Sequence, residues 1–191
     1  MEKTLEQQPA NGLKIVLLGP ESTGKTTLAK ALAAHYKTKW VPEYMRTYLQ
    51  DKWDATKEIC TKEDLLPIAS GQMVSENNIS KLANEVLFCD TNLLELKVYS
   101  EYYFDGYCPS EIERFALKNK YNLYFLTYID APWEDDDLRD RPYDRSTLFR
   151  MFEEELVKQN FPYKILKGNN NTRLQCAIEA IDSLRLEQNA D

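Results

Sequence analysis

Gly19-Pro20-Glu21-Ser22-Thr23-Gly24-Lys25-Thr26 fits the pattern G-x-x-x-x-G-K-[ST], the phosphate-cradling P-loop. The octapeptide follows an apolar run, Ile15-Val16-Leu17-Leu18, that reads as a buried strand. It opens a helix-forming run, Thr27-Leu28-Ala29-Lys30-Ala31-Leu32-Ala33-Ala34. Strand, glycine-bounded turn and helix are the context the motif needs. The turn aims backbone N–H groups inward, and the helix start adds unpaired donors and the positive end of its dipole. Lys25 then reaches β- and γ-phosphate oxygens, and the Thr26 hydroxyl is placed to ligate Mg2+. The candidate ATP-binding residues of this stretch are Gly19, Glu21, Ser22, Thr23, Gly24, Lys25, Thr26 and Thr27.

Outward from the motif, short apolar strands alternate with helices. Strands are expected at 13–18, at 39–41 where Pro42 stops the run, at 86–89 ending in Asp90, at 123–127 and at 163–166, closed by Gly168. Helices are expected at 25–36, 43–51, 61–84, 92–104, 109–120, 144–159 and 172–186, with 52–60 a polar connection. Thr61 and Asp64 resemble a capping box, and Leu174, Ile178, Ile181 and Leu184 form the apolar stripe of the last helix. Such alternation predicts an α/β fold, a P-loop NTPase with a five-stranded parallel sheet sandwiched between helices and right-handed crossovers. Residues 1–12 read as a flexible tail and 13–191 as one domain.

The chain has 191 residues and a formal charge of −7. It is long enough to bury a core without disulfide or metal staples. The acidic balance argues against nucleic acid or an anionic membrane as main partner. Cys60, Cys89, Cys108 and Cys176 are scattered, which reads as reduced thiols in a cytoplasmic setting. The single histidine, His35, excludes His-based triads and His-rich metal sites.

In parallel sheets ligands bind beyond the carboxyl ends of the strands, so residues just after each strand should converge. Phosphoryl transfer needs a cradle, a Mg2+ site, cations for the γ-phosphoryl and a carboxylate near the acceptor hydroxyl. Asp90 is placed to hold Mg2+ or contact an acceptor hydroxyl, with helix capping as its plain alternative. Asn92 either shares that site or caps the helix. Glu43 is placed to take the acceptor's proton. Tyr44 offers a ring for stacking, Arg46 a cation for phosphate or for Glu43, and Gln72 a polar group for the acceptor pocket. The run from Asp135 to Arg145 is dense in both charges and reads as a lid whose Arg139, Arg141 or Arg145 meets the transferring phosphoryl. Its acidic trio orders the lid through ion pairs. Lys25, Glu43, Asp90 and Arg139 are the expected catalytic set, and Thr26 and Asp90 the metal ligands.

These motifs resemble the ribosylnicotinamide kinase domain of NadR-type proteins. The likeness rests on Gly19 to Thr26, Glu43-Tyr44 with Arg46, Gly71-Gln72, Phe88-Cys89-Asp90-Thr91 and Trp133-Glu134-Asp135-Asp136-Asp137-Leu138-Arg139, in the family's order. It implies a nucleoside-kinase-like P-loop fold using ATP and Mg2+. It also implies transfer of the γ-phosphate to the 5′-hydroxyl of nicotinamide riboside, giving nicotinamide mononucleotide. Two departures stand out. This chain has no room for the added nucleotidylyltransferase domain of larger NadR proteins, and its lid reads Asp136-Asp137-Leu138-Arg139 where Asp-Gly-Leu-Arg is expected. Deoxynucleoside kinases usually carry Asp-Arg where Asp90-Thr91 stands here.

Two other readings share the P-loop: a kinase for another nucleoside, and a nucleotide-dependent binding or regulatory ATPase. A GTPase calls for Asn-Lys-x-Asp after a strand, and Asn119-Lys120-Tyr121-Asn122 lacks the aspartate. An AAA+ machine needs more chain and oligomer-facing elements. Oligomeric state is left open by the sequence.

Overall fold

The computed structural model describes residues 5–10 and 12–188. Five parallel strands, β1 (Leu13–Leu18), β2 (Trp40–Val41), β3 (Val86–Asp90), β4 (Leu123–Thr127) and β5 (Tyr163–Leu166), stand in the order β2-β3-β1-β4-β5. The described helices are α1 (Lys25–His35), α2 (Tyr44–Thr56), α3 (Leu65–Ser80), α4 (Leu93–Tyr103), α5 (Ser110–Lys118), α6 (Arg145–Lys158) and α7 (Asn170–Gln188). A 3-10 turn over Lys62–Asp64 leads into α3 behind the predicted Thr61/Asp64 capping box.

Every residue of β1, β3 and β4 is buried, which is why these strands read as unbroken apolar runs rather than alternating ones. Successive side chains still point to opposite faces. Val16, Leu18, Leu87, Cys89, Tyr124 and Leu126 pack with Ile68, Val98, Ile112 and Phe152 from α3, α4, α5 and α6. Ile15, Leu17, Phe88 and Phe125 pack with Leu28 and Leu32 of α1 and Ala177 and Ile181 of α7. The result is the expected three-layer sandwich.

β1 lies at the centre. From it the chain runs to β2 and β3 on one side and to β4 and β5 on the other, so a crevice opens at its carboxyl end. Gly19 leaves β1 at φ +141°, and a Cβ there would sit 2.5 Å from Thr127 Oγ1 and 2.8 Å from its carbonyl oxygen. Only glycine lets the chain turn out this close to β4.

Two helix boundaries stand out against expectation. α2 continues through 52–56, where polar composition suggests a connection. It has no fully buried residue and leans on the core through Met45, Tyr48 and Leu49, so its polarity is that of a solvated helix face. The Asp64 carboxylate takes hydrogen bonds from Lys52 Nζ (2.6 Å), Tyr48 OH (3.0 Å) and Thr61 N (2.8 Å), tying α2 to the start of α3. α7 begins at Asn170 because Asn169 Oδ1 accepts from Thr172 N (3.0 Å) and Thr172 Oγ1 (3.1 Å), so Asn169 acts there as a helix cap.

The expectation of a loose tail fails for residues 5–10; residues 1–4 and 11 lie outside the described residues. Leu5 is buried in the core, and Gln7 Nε2 donates to Glu76 Oε1 at 2.9 Å. Glu76 is fully enclosed and also binds Lys14 Nζ (2.9 Å) and Tyr121 OH (2.7 Å). An apolar anchor and a buried carboxylate that needs donors together dock this segment.

Candidate active site

The P-loop bend is built from left-handed residues, Gly19, Ser22 (φ +56°) and Gly24 (φ +81°), the backbone sequence that turns successive N–H groups into an anion-binding concavity. Gly24 leads directly into α1. Thr23, expected at the ATP site, has its side chain engaged within the protein. Its buried hydroxyl donates to Pro20 O (2.7 Å) and meets Thr127 Oγ1 (2.7 Å) beneath the loop, so the side chain shapes the bend. Arg173 of α7, 3% exposed, donates to Thr23 O, Tyr128 O (2.8 Å) and Asp130. It braces the bend from below and was not singled out from sequence. Thr27 lies exposed in the first turn of α1.

Lys25 Nζ donates to Gly19 O (2.6 Å) and Pro20 O (3.2 Å) and stands 3.4 Å from Glu95 Oε1. Glu95 is 1% exposed, and neither of its carboxyl oxygens has a hydrogen-bond partner. Its contact with Lys25 is therefore Coulombic. Burial pushes the Lys25 ammonium down, but the carboxylates of Glu95, Glu43, Asp90 and Glu21 together raise it above the ordinary lysine value. Burial raises the carboxyls of Glu95, Asp90 and Glu43, with Lys25 opposing it in each case. Glu95 is the main residue that sequence reasoning missed. A glutamate in the first turn of a helix reads as a dipole partner, and nothing local marks it as buried against Lys25.

Asp90 and Thr26 meet as expected: Thr26 Oγ1 donates to Asp90 Oδ2 at 2.5 Å, while Asp90 Oδ1 is buried without a partner. Asp90 is not the helix cap. That role belongs to Asn92, whose Oδ1 accepts from Leu94 N (3.0 Å) and Glu95 N (3.3 Å). Thr91, at φ +70°, swings the chain between the two. The Asn92 oxygen is thus occupied, and only its buried Nδ2 lacks a partner. Mg2+ typically takes one or two protein carboxylates, with phosphates and water completing its shell. The orphaned Asp90 oxygen beside the Thr26 hydroxyl fits that pattern. No cluster of three His, Cys, Asp or Glu suited to a metal exists among the described residues.

On the opposite wall, Glu43 precedes α2 without capping it, leaving its half-buried carboxyl free. Tyr44 N donates to Gln72 Oε1 at 2.8 Å, and the Gln72 amide nitrogen is buried and unpaired. The Tyr44 ring packs over Gly71, where a Cβ would lie 2.0 Å from the ring. Helix propensity alone favours Gly71→Ala by about 1 kcal/mol. Packing reverses the sign: the methyl drives Tyr44 off α3 and moves Glu43 with it. We expect Gly71→Ala to lose about 1–3 kcal/mol in denaturant unfolding and to raise the acceptor KM severalfold. An unchanged KM would remove Tyr44 and Glu43 from the acceptor wall.

The charged loop reaches across this wall. Asp136 receives both Arg46 guanidinium nitrogens (3.0 and 2.8 Å) and lies 3.1 Å from Arg139 Nε. Arg46 therefore pairs with Asp136 rather than with Glu43, as the lid-ordering role of the acidic trio requires. Arg139 Nη1 also donates to Glu134 O (2.8 Å), and Ser22 Oγ meets Glu134 O (3.2 Å), fastening the loop to the P-loop. Arg139 lies near enough to Glu21 and Glu43 to draw their carboxyls down. Arg141 is exposed, stacking over Tyr103 at 5.5 Å, and Arg145 Nη1 donates to Ala131 O at 2.9 Å.

Glu21 carries a measurable signature. Burial lifts its carboxyl to about 7, with Lys25 pulling the other way. Because the folded value exceeds the unfolded one, the folded chain holds an extra proton between them. Stability is then lost as pH rises from about 4.5 through about 7. Glu21→Gln should raise Tm relative to the parent at pH 8, with the difference vanishing below pH 4.5. A difference independent of pH would place Glu21 in solvent.

Residues 14–173 match the AAA_28 family, described as an AAA domain. The chain is 25% identical over 177 residues to the trifunctional NAD biosynthesis/regulator protein NadR of Escherichia coli (strain K12), covering 91% of this chain and 43% of that protein. It thus spans less than half the length of this relative. Structures of NadR protein in complex with NR, and with NAD and AMP-PNP, superpose with a TM-score of 0.70 at 18% and 19% identity. They cover 91% of this chain, and 50% and 49% of those chains respectively. Thymidylate kinase from Candida albicans superposes with a TM-score of 0.65 at 15% identity, over 93% of this chain and 94% of that one. The matched residues include the P-loop bend and α1. The structural likenesses are to P-loop proteins that include nucleotide kinases, and with the family match spanning most of its length, the chain belongs to the AAA_28 family of P-loop domains.

Proposed function

We propose that this chain is an ATP-dependent phosphotransferase that moves the γ-phosphate of ATP to the 5′-hydroxyl of nicotinamide riboside, producing nicotinamide mononucleotide in NAD salvage in the cytoplasm. One observation carries the reading: orphaned buried polar atoms of Glu21, Asp90, Glu95 and Tyr99 belong to residues that gather around Lys25 and its carboxylate neighbours. Buried polar groups are normally paired, so this concentration marks a place where a polar ligand supplies the partners.

The residues divide the work. The backbone of 19–24 and Lys25 receive the polyphosphate. Thr26 and Asp90 would hold Mg2+, which when bound neutralises phosphate charge. Glu43, kept basic by burial, accepts the proton of the acceptor hydroxyl. Arg139 and Arg46, held together by Asp136, stand by for charge developing on the transferring group. Arg141 is the further lid candidate for ATP. Gln72, Tyr44 and Asn92 line the side where the acceptor base and sugar would sit.

Nicotinamide riboside as acceptor is supported by the likeness to NadR, whose structure holds NR. A second reading, a kinase for another nucleoside, is supported by the fold shared with deoxyadenosine kinase from M. mycoides, with a TM-score of 0.59 at 16% identity over 89% of this chain and 99% of that one. A coupled ADP-release assay across nicotinamide riboside, uridine, cytidine and thymidine, with Mg2+, separates them. We expect nicotinamide riboside to give the highest kcat/KM. Preference for another nucleoside would select the second reading, and no response to any would leave a nucleotide-binding switch.

A further inference from the structure

Three cations around the cradle, Lys25, Arg46 and Arg139, each have a partner in this chain. Asp136 engages Arg46 and Arg139, and Lys25 is turned back onto Gly19 O, Pro20 O and Glu95. The two carbonyls belong to the bend itself and are ordinary neutral acceptors. Glu95 is different: an enclosed carboxyl on α4, 3.4 Å from the ammonium, with both oxygens otherwise unpaired. Asn92 fixes where it stands by capping the first turn of α4 through Glu95 N. A buried charge without a partner is strongly unfavourable, so each of the two groups holds the other in place.

We propose that Glu95 is a positioning residue that parks Lys25 in the nucleotide-free chain, and that a triphosphate binds by taking the ammonium away from it. The inference rests on the P-loop being the nucleotide site. It separates two effects that look alike in a simple affinity measurement. A carboxylate that merely repels phosphate acts whether or not Lys25 is present. A carboxylate that competes for Lys25 acts only through it.

The test is a double-mutant cycle read as AMP-PNP affinity with Mg2+, by calorimetry, on the parent chain, Glu95→Gln, Lys25→Met and the double variant. Glu95→Gln is nearly isosteric, and its Tm without nucleotide reports whether it is folded. We expect it to bind AMP-PNP roughly 3- to 30-fold more tightly than the parent, inside the range of coupling found for residues in contact. In the Lys25→Met background the same change should have little effect. Glu95→Asp, which keeps the charge but shortens the reach, should fall between parent and Glu95→Gln. An unchanged or weaker affinity in Glu95→Gln would overturn the proposal, as would an equal gain in both backgrounds. If the parent itself binds no AMP-PNP, the nucleotide reading falls first, which keeps the two failures distinct.

Discussion

Lys25→Ala should reduce phosphoryl transfer by roughly 10³-fold or more, the loss seen when a cation serving the transferring phosphoryl is removed. Lys25 is the ammonium enclosed within the cradle, and no arginine shares its position: Arg173 lies beneath the bend, and Arg46 and Arg139 lie across the cleft on Asp136. The sequence alone suggests that this lysine serves the phosphates and little else, so that the fold is untouched. The structure adds a second duty, because Lys25 is counter-ion to Glu95, Glu43, Asp90 and Glu21. Without it those carboxyls retain protons more firmly. Their folded values then lie further above their unfolded ones, and the variant loses stability as pH rises through that interval. Steady-state kinetics and thermal melts at pH 6 and pH 8 read both effects. Turnover near the parent's would remove the cradle from the mechanism.

Asp90→Asn is expected to lower kcat by roughly 10²- to 10³-fold, in line with losing one preorganised electrostatic group, with little change in acceptor KM. The substitution keeps shape and retains an oxygen for the Thr26 hydroxyl, but it removes the charge. Capping cannot account for a loss of that size, since Asn92 supplies the cap of α4. A Mg2+ titration of the rate should shift to higher concentration in the variant. Normal Mg2+-dependent turnover would leave Asp90 a structural residue at the end of β3.

The fold was legible because it is written in local signals. Strands buried on both faces must be apolar runs, Pro42 ends β2, and the P-loop prescribes its own strand, bend and helix. The Thr26–Asp90 pair was legible for the same reason, since Asp90 ends β3 and Thr26 opens the helix that follows the neighbouring strand β1. Glu95, Asp136 and Arg173 were harder. Their meaning lies in partners 70, 90 and 150 positions away (Lys25, Arg46 and Thr23), and no spacing rule reaches that far. For Asn92 the sequence left site and cap open because an amide beside a motif looks alike whether it faces a ligand or its own backbone, and the structure shows the cap. Gly71 entered the family likeness beside Gln72, but its physical reason did not: a mid-helix glycine costs about 1 kcal/mol, and here it makes room for the Tyr44 ring.

Arg173 has a temporal consequence. The bend near the start of the chain is braced by a residue delivered 150 positions later, on the helix that comes after β5. β1 and α1 can form as soon as residues 13–35 are available, yet the bend between them stays unbraced until residue 173 has been made and α7 has docked.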